Sequence, residues 1–286
     1  MAAQNESRKY AVVGKRPVRH DGIEKVTGGA QYGADMRLPG LLYGKVLRSP
    51  HAHARIRSID TRRASAYLAG AAVVTSADLP PSVPVDQSVV LGQTPSQNIL
   101  ANGKVLYKGH PVAAVAANSP HVAEEALALI EVVYEPLPHV TNVEEAMKSG
   151  APILHEHWVD GTVFGGESAN PTNIATRDQY VLGDPEGGFR DADLVLEREF
   201  RTKSVHQGYI EPQNATAWWA PDGRLTIWCS SQGHFGIRDN TARILGVPVD
   251  EIKVVPMEIG GGFGGKLAVY LEPIAAVLSK KTGRPV

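Results

Sequence analysis

Five glycines fall within six positions at Gly260-Gly261-Gly262-Phe263-Gly264-Gly265, with Lys266 next. Glycine loses more backbone freedom on folding than any other residue, so such a run does not belong inside a helix or a strand. It predicts a loop whose main chain approaches something closely. The flanks narrow the choice. Ile252 to Val255 reads as a strand, and Leu267 to Lys281 reads as a helix with Leu271, Ile274, Ala275 and Leu278 on one face. A strand, a glycine loop and a helix in that order would present free amides to a phosphate or another anion at the helix N-terminus. Taken alone, the loop favours a phosphate-bearing ligand over a tight bulged connection that binds nothing.

Two nucleotide motifs overlap this loop. Gly260, Gly262 and Gly265 match G-x-G-x-x-G, and Gly260, Gly265 and Lys266 match most of a P-loop. The P-loop reading fails at Leu267, where a Ser or Thr hydroxyl should meet magnesium. The dinucleotide reading wants an acidic residue about 20 positions on, beyond the last residue of this chain.

Elsewhere strands and helices mix in an α+β pattern. Strand candidates are Leu41 to Leu47, Ile56 to Asp60, Ala72 to Thr75, His110 to Ala117 and Val132 to Leu137. Ser119-Pro120 supplies an N-cap and a first-turn proline for a helix carrying Ala123, Ala126, Leu127 and Ile130. Asn142 can cap a short helix over 143–148, and residues 80–104 read as a long loop. Glycine, asparagine and proline punctuate the chain between about 155 and 178 without sustained period, so 159–178 is the expected linker. Beyond it, Leu194, Leu196, Arg198 and Phe200 suggest a strand. Ala215 to Ala220 and Leu225 to Ser230 flank the turn Pro221-Asp222-Gly223, and Phe235 to Leu245 looks helical up to Gly246.

Composition excludes some functions. The formal net charge of −1 points to neither nucleic acid nor an anionic membrane as partner. The one cysteine, Cys229, rules out an internal disulfide framework and any four-cysteine zinc or iron–sulfur site built from this chain alone. Met1 to Tyr10 lacks the apolar core of a signal peptide, and no apolar run approaches a membrane span, so the expected location is the cytoplasm. At the other end, Thr282-Gly283-Arg284-Pro285-Val286 reads as a helix stop followed by the first residue of a new strand, which suggests a chain that continues.

A broad resemblance joins these pieces. The stretch from Leu38 through Tyr43-Gly44-Lys45-Val46 and Arg48-Ser49-Pro50-His51-Ala52-His53-Ala54 to Ile56 resembles the opening of the α/β hammerhead domain of the xanthine dehydrogenase/aldehyde oxidase-like molybdenum hydroxylases. Tyr107 to Val115 resembles that domain's central strand and Glu131 to Pro138 its closing strand. His206-Gln207-Gly208-Tyr209-Ile210-Glu211-Pro212 resembles the entry to the family's molybdopterin-binding domain. Ser230-Ser231-Gln232 and Gly260 to Lys266 resemble its cofactor-contacting segments. The order and spacing of these matches cover the chain from about residue 14 onward.

The resemblance implies an N-terminal portion of a molybdopterin-binding large subunit, not by itself a complete enzyme. The implied reaction is oxidative hydroxylation of an aldehyde or heteroaromatic carbon. The implied cofactor is molybdenum–molybdopterin, with the cytosine dinucleotide form among the candidates. Iron–sulfur clusters and FAD would reside on partner subunits. Gln232 matches a glutamine that hydrogen-bonds an oxygen ligand of molybdenum, and Gly262, Phe263, Gly264 and Gly265 match the loop lying against the cofactor. The general-base glutamate is expected downstream of this chain, so no catalytic residue is named, and no protein ligand to the metal is expected. Leu267 takes the place of a glutamate that recognises purine in xanthine-oxidising members, which makes Leu267 a substrate-contact candidate and disfavours xanthine.

Weaker candidates have plainer readings. His51 with His53, and His155-Glu156-His157, lack the spacing of a complete metal site. Cys229 reads as a buried small hydrophobe, and Trp218, Trp219 and Trp228 as strand packing. Glu211 is either structural or part of the substrate approach, and Lys266 reads as a solvated residue at a helix start. The expected organisation is an N-terminal arm over 1–20, a hammerhead domain over 21–158, the linker over 159–178 and the first part of a molybdopterin-binding domain over 179–286. Two alternatives stand beside it: a nicotinamide-dependent oxidoreductase using the loop at 260–265, and a cofactor-binding or assembly module without catalysis.

Overall fold

Every residue of Pro111–Ala117 is buried, and all but the leading proline are alanine or valine. Small side chains at every position suit a strand covered on both faces. A computed structural model describes residues 10–68, 72–81, 99–156, 159–161, 167–174 and 179–286, and it places this strand between two hydrophobic clusters. Side chains alternate across a strand. Ala113, Val115 and Ala117 therefore join the cluster built with Ala123, Ala126 and Ile130, while Ala114 and Ala116 join a larger one with Leu225, Ile227, Ile274 and Leu278. The larger cluster draws on residues from Leu42 to Val286, so the two halves of the chain share one core.

The strands of the first half are β1 (Tyr43–Arg48), β2 (Ala54–Asp60), β3 (Val73–Thr75), β4 (Lys104–Val105), β5 (Pro111–Ala117) and β6 (Glu131–Pro136). They form two antiparallel three-stranded sheets, ordered β1-β5-β3 and β4-β2-β6. Helices α1 (Gly22–Thr27), α2 (Arg62–Tyr67) and α3 (Pro120–Ala128) lie among them. The α3 start is as read from the sequence: the Ser119 hydroxyl accepts the Val122 N–H at 3.2 Å, with Pro120 in the first turn. Ser119→Ala is expected to cost about 1 kcal/mol of stability by orphaning that amide, which a shift in thermal midpoint would register. Asn142 likewise caps a one-turn helix, α4 (Val143–Ala146).

The predicted linker is not featureless. β7 (Val159–Gly161) and β8 (Glu167–Pro171) pair antiparallel within it, because backbone groups there find each other without help from hydrophobic period. Residues 162–166 and 175–178 of that linker, most of the predicted loop over 80–104, and residues 1–9 of the arm lie outside the described residues. The strand expected at Leu194 to Phe200 does not form. This segment follows α5 (Pro185–Asp191) and runs exposed without a partner strand among the described residues, and an extended chain is a strand only when a neighbour pairs with it.

The second half is built on a sheet ordered β11-β10-β9, with β9 (Ala215–Trp219) antiparallel and β11 (Ile252–Pro256) parallel to β10 (Leu225–Cys229). Pro221-Asp222-Gly223 makes the β9–β10 turn, with Gly223 at φ +90°. The parallel pair needs a crossover, and α6 (His234–Leu245) provides it, ending on Gly246 at φ +64°. The last helix, α7 (Glu272–Thr282), starts five residues later than the glycine-loop reading placed it. Pro273 fixes the first turn, and Glu272 folds its carboxylate back onto the Tyr270 N–H at 2.9 Å. After Gly283, the Leu42 N–H donates to Pro285 O, and Val286 exchanges both backbone hydrogen bonds with Ala217 at 2.8 and 2.9 Å, a strand-like pairing at the position where the sequence suggested one. Among the described residues no helix is long and apolar enough to cross a membrane.

Candidate functional site

Three segments far apart in sequence meet beyond the C-terminal ends of the parallel strands β10 and β11: residues 206–214, Ser230 to Gly233, and the glycine loop. This is where open α/β units present their binding crevices. Ser230 to Gly233 leave β10 and enter α6, and the loop follows β11 by a few residues.

Gln232 ties the second segment to the third. Its Oε1 accepts the N–H of Gly264 at 3.0 Å and of Lys266 at 3.2 Å, and its own N–H donates to Lys266 O at 2.9 Å. Two amide donors on one side-chain atom identify it as the oxygen. The Nε2 group has no partner among the described residues, and the residue is exposed. Gly262 makes this approach possible, since a Cβ there would lie 2.6 Å from Gln232 Oε1. Gly264 differs. It sits at φ +85° with nothing within 4 Å of where its Cβ would be. Phe263 has the only positive φ (+48°) of any non-glycine among the described residues, and the residue is 73% exposed.

The amides of the loop divide into two sets. Those of Gly260, Gly264, Gly265 and Lys266 are satisfied internally. Those of Gly261, Gly262 and Phe263 have no partner among the described residues, and they form the tip. Six residues separate the loop's last glycine from α7, so the loop does not run directly into the helix N-terminus, contrary to the expectation from sequence. The same gap removes the strand–loop–helix continuity that a dinucleotide fingerprint requires.

Lys266 is also not the solvated residue its place in the sequence suggested. Its side chain is 0% exposed and pairs with Glu211 at 2.7 Å. Burial pushes the Glu211 carboxyl up, but hydrogen bonds from Lys266, the Gly260 amide, Ser230 and Asn214 outweigh it and leave it below the ordinary value. Gln213, not singled out from sequence, donates from Nε2 to Gly265 O at 2.7 Å. It directly follows the His206 to Pro212 motif, which does not include it.

The chain matches the family model described as aldehyde oxidase and xanthine dehydrogenase, a/b hammerhead domain, over residues 27–138, and the molybdopterin cofactor-binding domain model over residues 167–286. It belongs to the aldehyde oxidase and xanthine dehydrogenase family. Among curated relatives of this family, it is 38% identical over 94% of its length to a probable xanthine dehydrogenase subunit of Bacillus subtilis, and 35% identical over 96% to the carbon monoxide dehydrogenase large chain of Afipia carboxidovorans. A crystal structure of a Cu,Mo-CO dehydrogenase in its carbon monoxide reduced state superposes with a TM-score of 0.78 at 35% identity over 96% of this chain. That of quinoline 2-oxidoreductase from Pseudomonas putida 86 gives 0.76 at 31% identity over the same 96%. The chain spans about a third of each of these relatives, 34% in every case.

The other candidates of this family member fall away from the loop. Cys229 is fully buried, and burial next to Glu272 pushes its thiol up to about 12, which keeps it protonated and unreactive. His53 Nδ1 lies 2.7 Å from Pro138 O, and His51 meets the Tyr134 ring edge-on. His157 lies outside the described residues. Among the described residues no three histidine, cysteine or acidic side chains are grouped to hold a metal. Trp218 and Trp219 lie on β9 and Trp228 on β10, and the Lys280 ammonium sits 4.2 Å from the Trp219 ring centroid, which is packing and not a ligand cage.

Proposed function

We propose that Gln232 and the loop from Gly262 to Gly265 hold a molybdenum–molybdopterin cofactor, and that the whole protein oxidatively hydroxylates an aldehyde or heteroaromatic carbon. The observation that supports it best is the orientation of Gln232. With Oε1 sunk onto two loop amides, the Nε2 donor is left for a partner outside the chain, beside the unpaired amides of Gly261 to Phe263. The residues fit such a group: a preorganised side-chain amide donor and main-chain N–H groups for its polar atoms, and an exposed aromatic residue at the tip. Gly264 adds open space on that side. When bound, the group supplies the two-electron oxidation of the substrate carbon. The chain's own part is to bind and orient it.

Leu267 is 56% exposed, and its Cδ2 would lie 3.7 Å from a Cβ on Gly233, next to Gln232. It offers apolar contact and no hydrogen bond to a purine edge, so an apolar aldehyde or ring is favoured over xanthine. The pterin is proposed in either its simple or its cytosine dinucleotide form. Iron–sulfur and FAD subunits are the proposed electron-transfer partners, the cytoplasm the proposed location, and the arm, hammerhead, linker and second-domain boundaries given above the proposed division.

The test is metal and pterin analysis of the purified full-length protein, followed by assays with aldehydes, N-heteroaromatics and xanthine and an artificial electron acceptor. Stoichiometric molybdenum with turnover of the first two classes is expected. Bound nicotinamide nucleotide without molybdenum would replace this reading with the dehydrogenase, and bound cofactor without any oxidation would favour the assembly module.

A further inference from the structure

One carboxylate oxygen holds both ends of the glycine loop. Glu211 Oε2 accepts the N–H of Gly260, the loop's first residue, at 2.7 Å, and the ammonium of Lys266, the residue after its last glycine, also at 2.7 Å. Around this joint the Glu211 N–H donates to Gly260 O at 3.3 Å, and Asn214 Nδ2 donates to Glu211 Oε1 at 3.2 Å. The Lys266 ammonium lies 5.1 Å from the Tyr209 ring centroid. A Cβ on Gly260 would come within 2.5 Å of Glu211 Cβ, so the glycine is what lets the carboxylate in. The side chains of the pair are 11% and 0% exposed, so neither can reach a substrate.

A buried ion pair is a poor device for stability alone, because desolvating both charges offsets much of their attraction. Neutral replacements of similar volume are often as stable or more so. What the pair does supply is geometry. With 260 and 266 joined through one atom, the intervening residues must arch, and the amides left unpaired are those at the crest. We propose that Glu211 and Lys266 are a positioning pair that fixes the glycine loop in its binding shape before any ligand arrives. The consequence for cofactor retention rests on the proposed function; the ordering of the loop does not.

The test compares full-length wild type with Glu211→Gln, Lys266→Met and the double variant Glu211→Gln/Lys266→Met. The single variants each leave a buried charge and can fail to fold, so the double variant decides. Its thermal midpoint is expected to stay near wild type. Hydrogen exchange of the peptide carrying residues 258–268, measured in cofactor-free protein, is expected to quicken at least tenfold, with protection elsewhere unchanged. Molybdenum per chain after purification is expected to fall at least fivefold, and the molybdenum paramagnetic resonance signal of the remainder to broaden. Unchanged loop exchange in the folded double variant overturns the proposal, whatever the metal content. Faster exchange with full molybdenum and an unchanged signal overturns its link to the cofactor. Should wild type hold no molybdopterin, the functional reading fails by itself, and the exchange measurement still decides the positioning role.

Discussion

Gly264→Val is expected to empty the full-length protein of molybdenum while leaving it folded. Gly264 holds φ +85°, a conformation in which a β-branched side chain is a strong outlier. Holding a non-glycine residue in such a region costs on the order of 1–3 kcal/mol, enough to lower the thermal midpoint but not to unfold a chain of this size. No atom of the protein lies within 4 Å of the Cβ that Gly264 lacks. The two methyl groups of the valine would therefore occupy space the protein leaves open, next to the amides at the loop's tip. Gly262→Ala provides the contrast. There the new Cβ would fall 2.6 Å from Gln232 Oε1 and disrupt the protein's own packing. Molybdenum content and thermal midpoint, measured together on both variants, separate the cases. A Gly264→Val protein that is destabilised yet carries a full complement of molybdenum would reduce the glycine to a turn residue and remove it from the site.

The loop itself was legible in the sequence because its composition has so few structural uses, and Gln232 through the motif around it. The hairpin at Pro221-Asp222-Gly223 and the caps at Ser119 and Asn142 were legible because each rests on chemistry within four residues. Long-range pairing was not. The alternation at Leu194, Leu196 and Phe200 describes an extended chain, but whether it becomes a strand depends on a neighbour that local pattern cannot supply. The start of α7 is hidden for a related reason. Leu267 and Val269 continue an apolar period, yet Pro273 and the inward turn of Glu272 set the first helical turn. Lys266 departs furthest from its local pattern. A lysine after a glycine loop is ordinarily solvated, and only the distant Glu211 makes full burial tolerable. The three glycines that admit Glu211, Gln232 and Tyr209 likewise look the same in sequence as the two that hold positive φ.

Gln232→Ala should lower turnover of the full-length protein. Removing one preorganised donor facing a developing charge slows a hydrolase roughly 100- to 1,000-fold, and we take that as the upper bound here. The alanine variant carries a second effect, because Gln232 Oε1 also accepts the Gly264 and Lys266 amides. Losing it frees two N–H groups and loosens the loop, so part of the lost rate would come from lost cofactor. Gln232→Glu divides the two contributions. A carboxylate can still accept both amides but has no hydrogen to donate, and it would set a negative charge where Gln232 offers a donor. The glutamate variant is therefore expected to keep more molybdenum than the alanine variant and to be at least as slow per bound metal. The measurement is turnover normalised to molybdenum content. Wild-type turnover per metal in the glutamate variant would mean that the Nε2 donor contributes nothing to the reaction, and that Gln232 serves the loop alone.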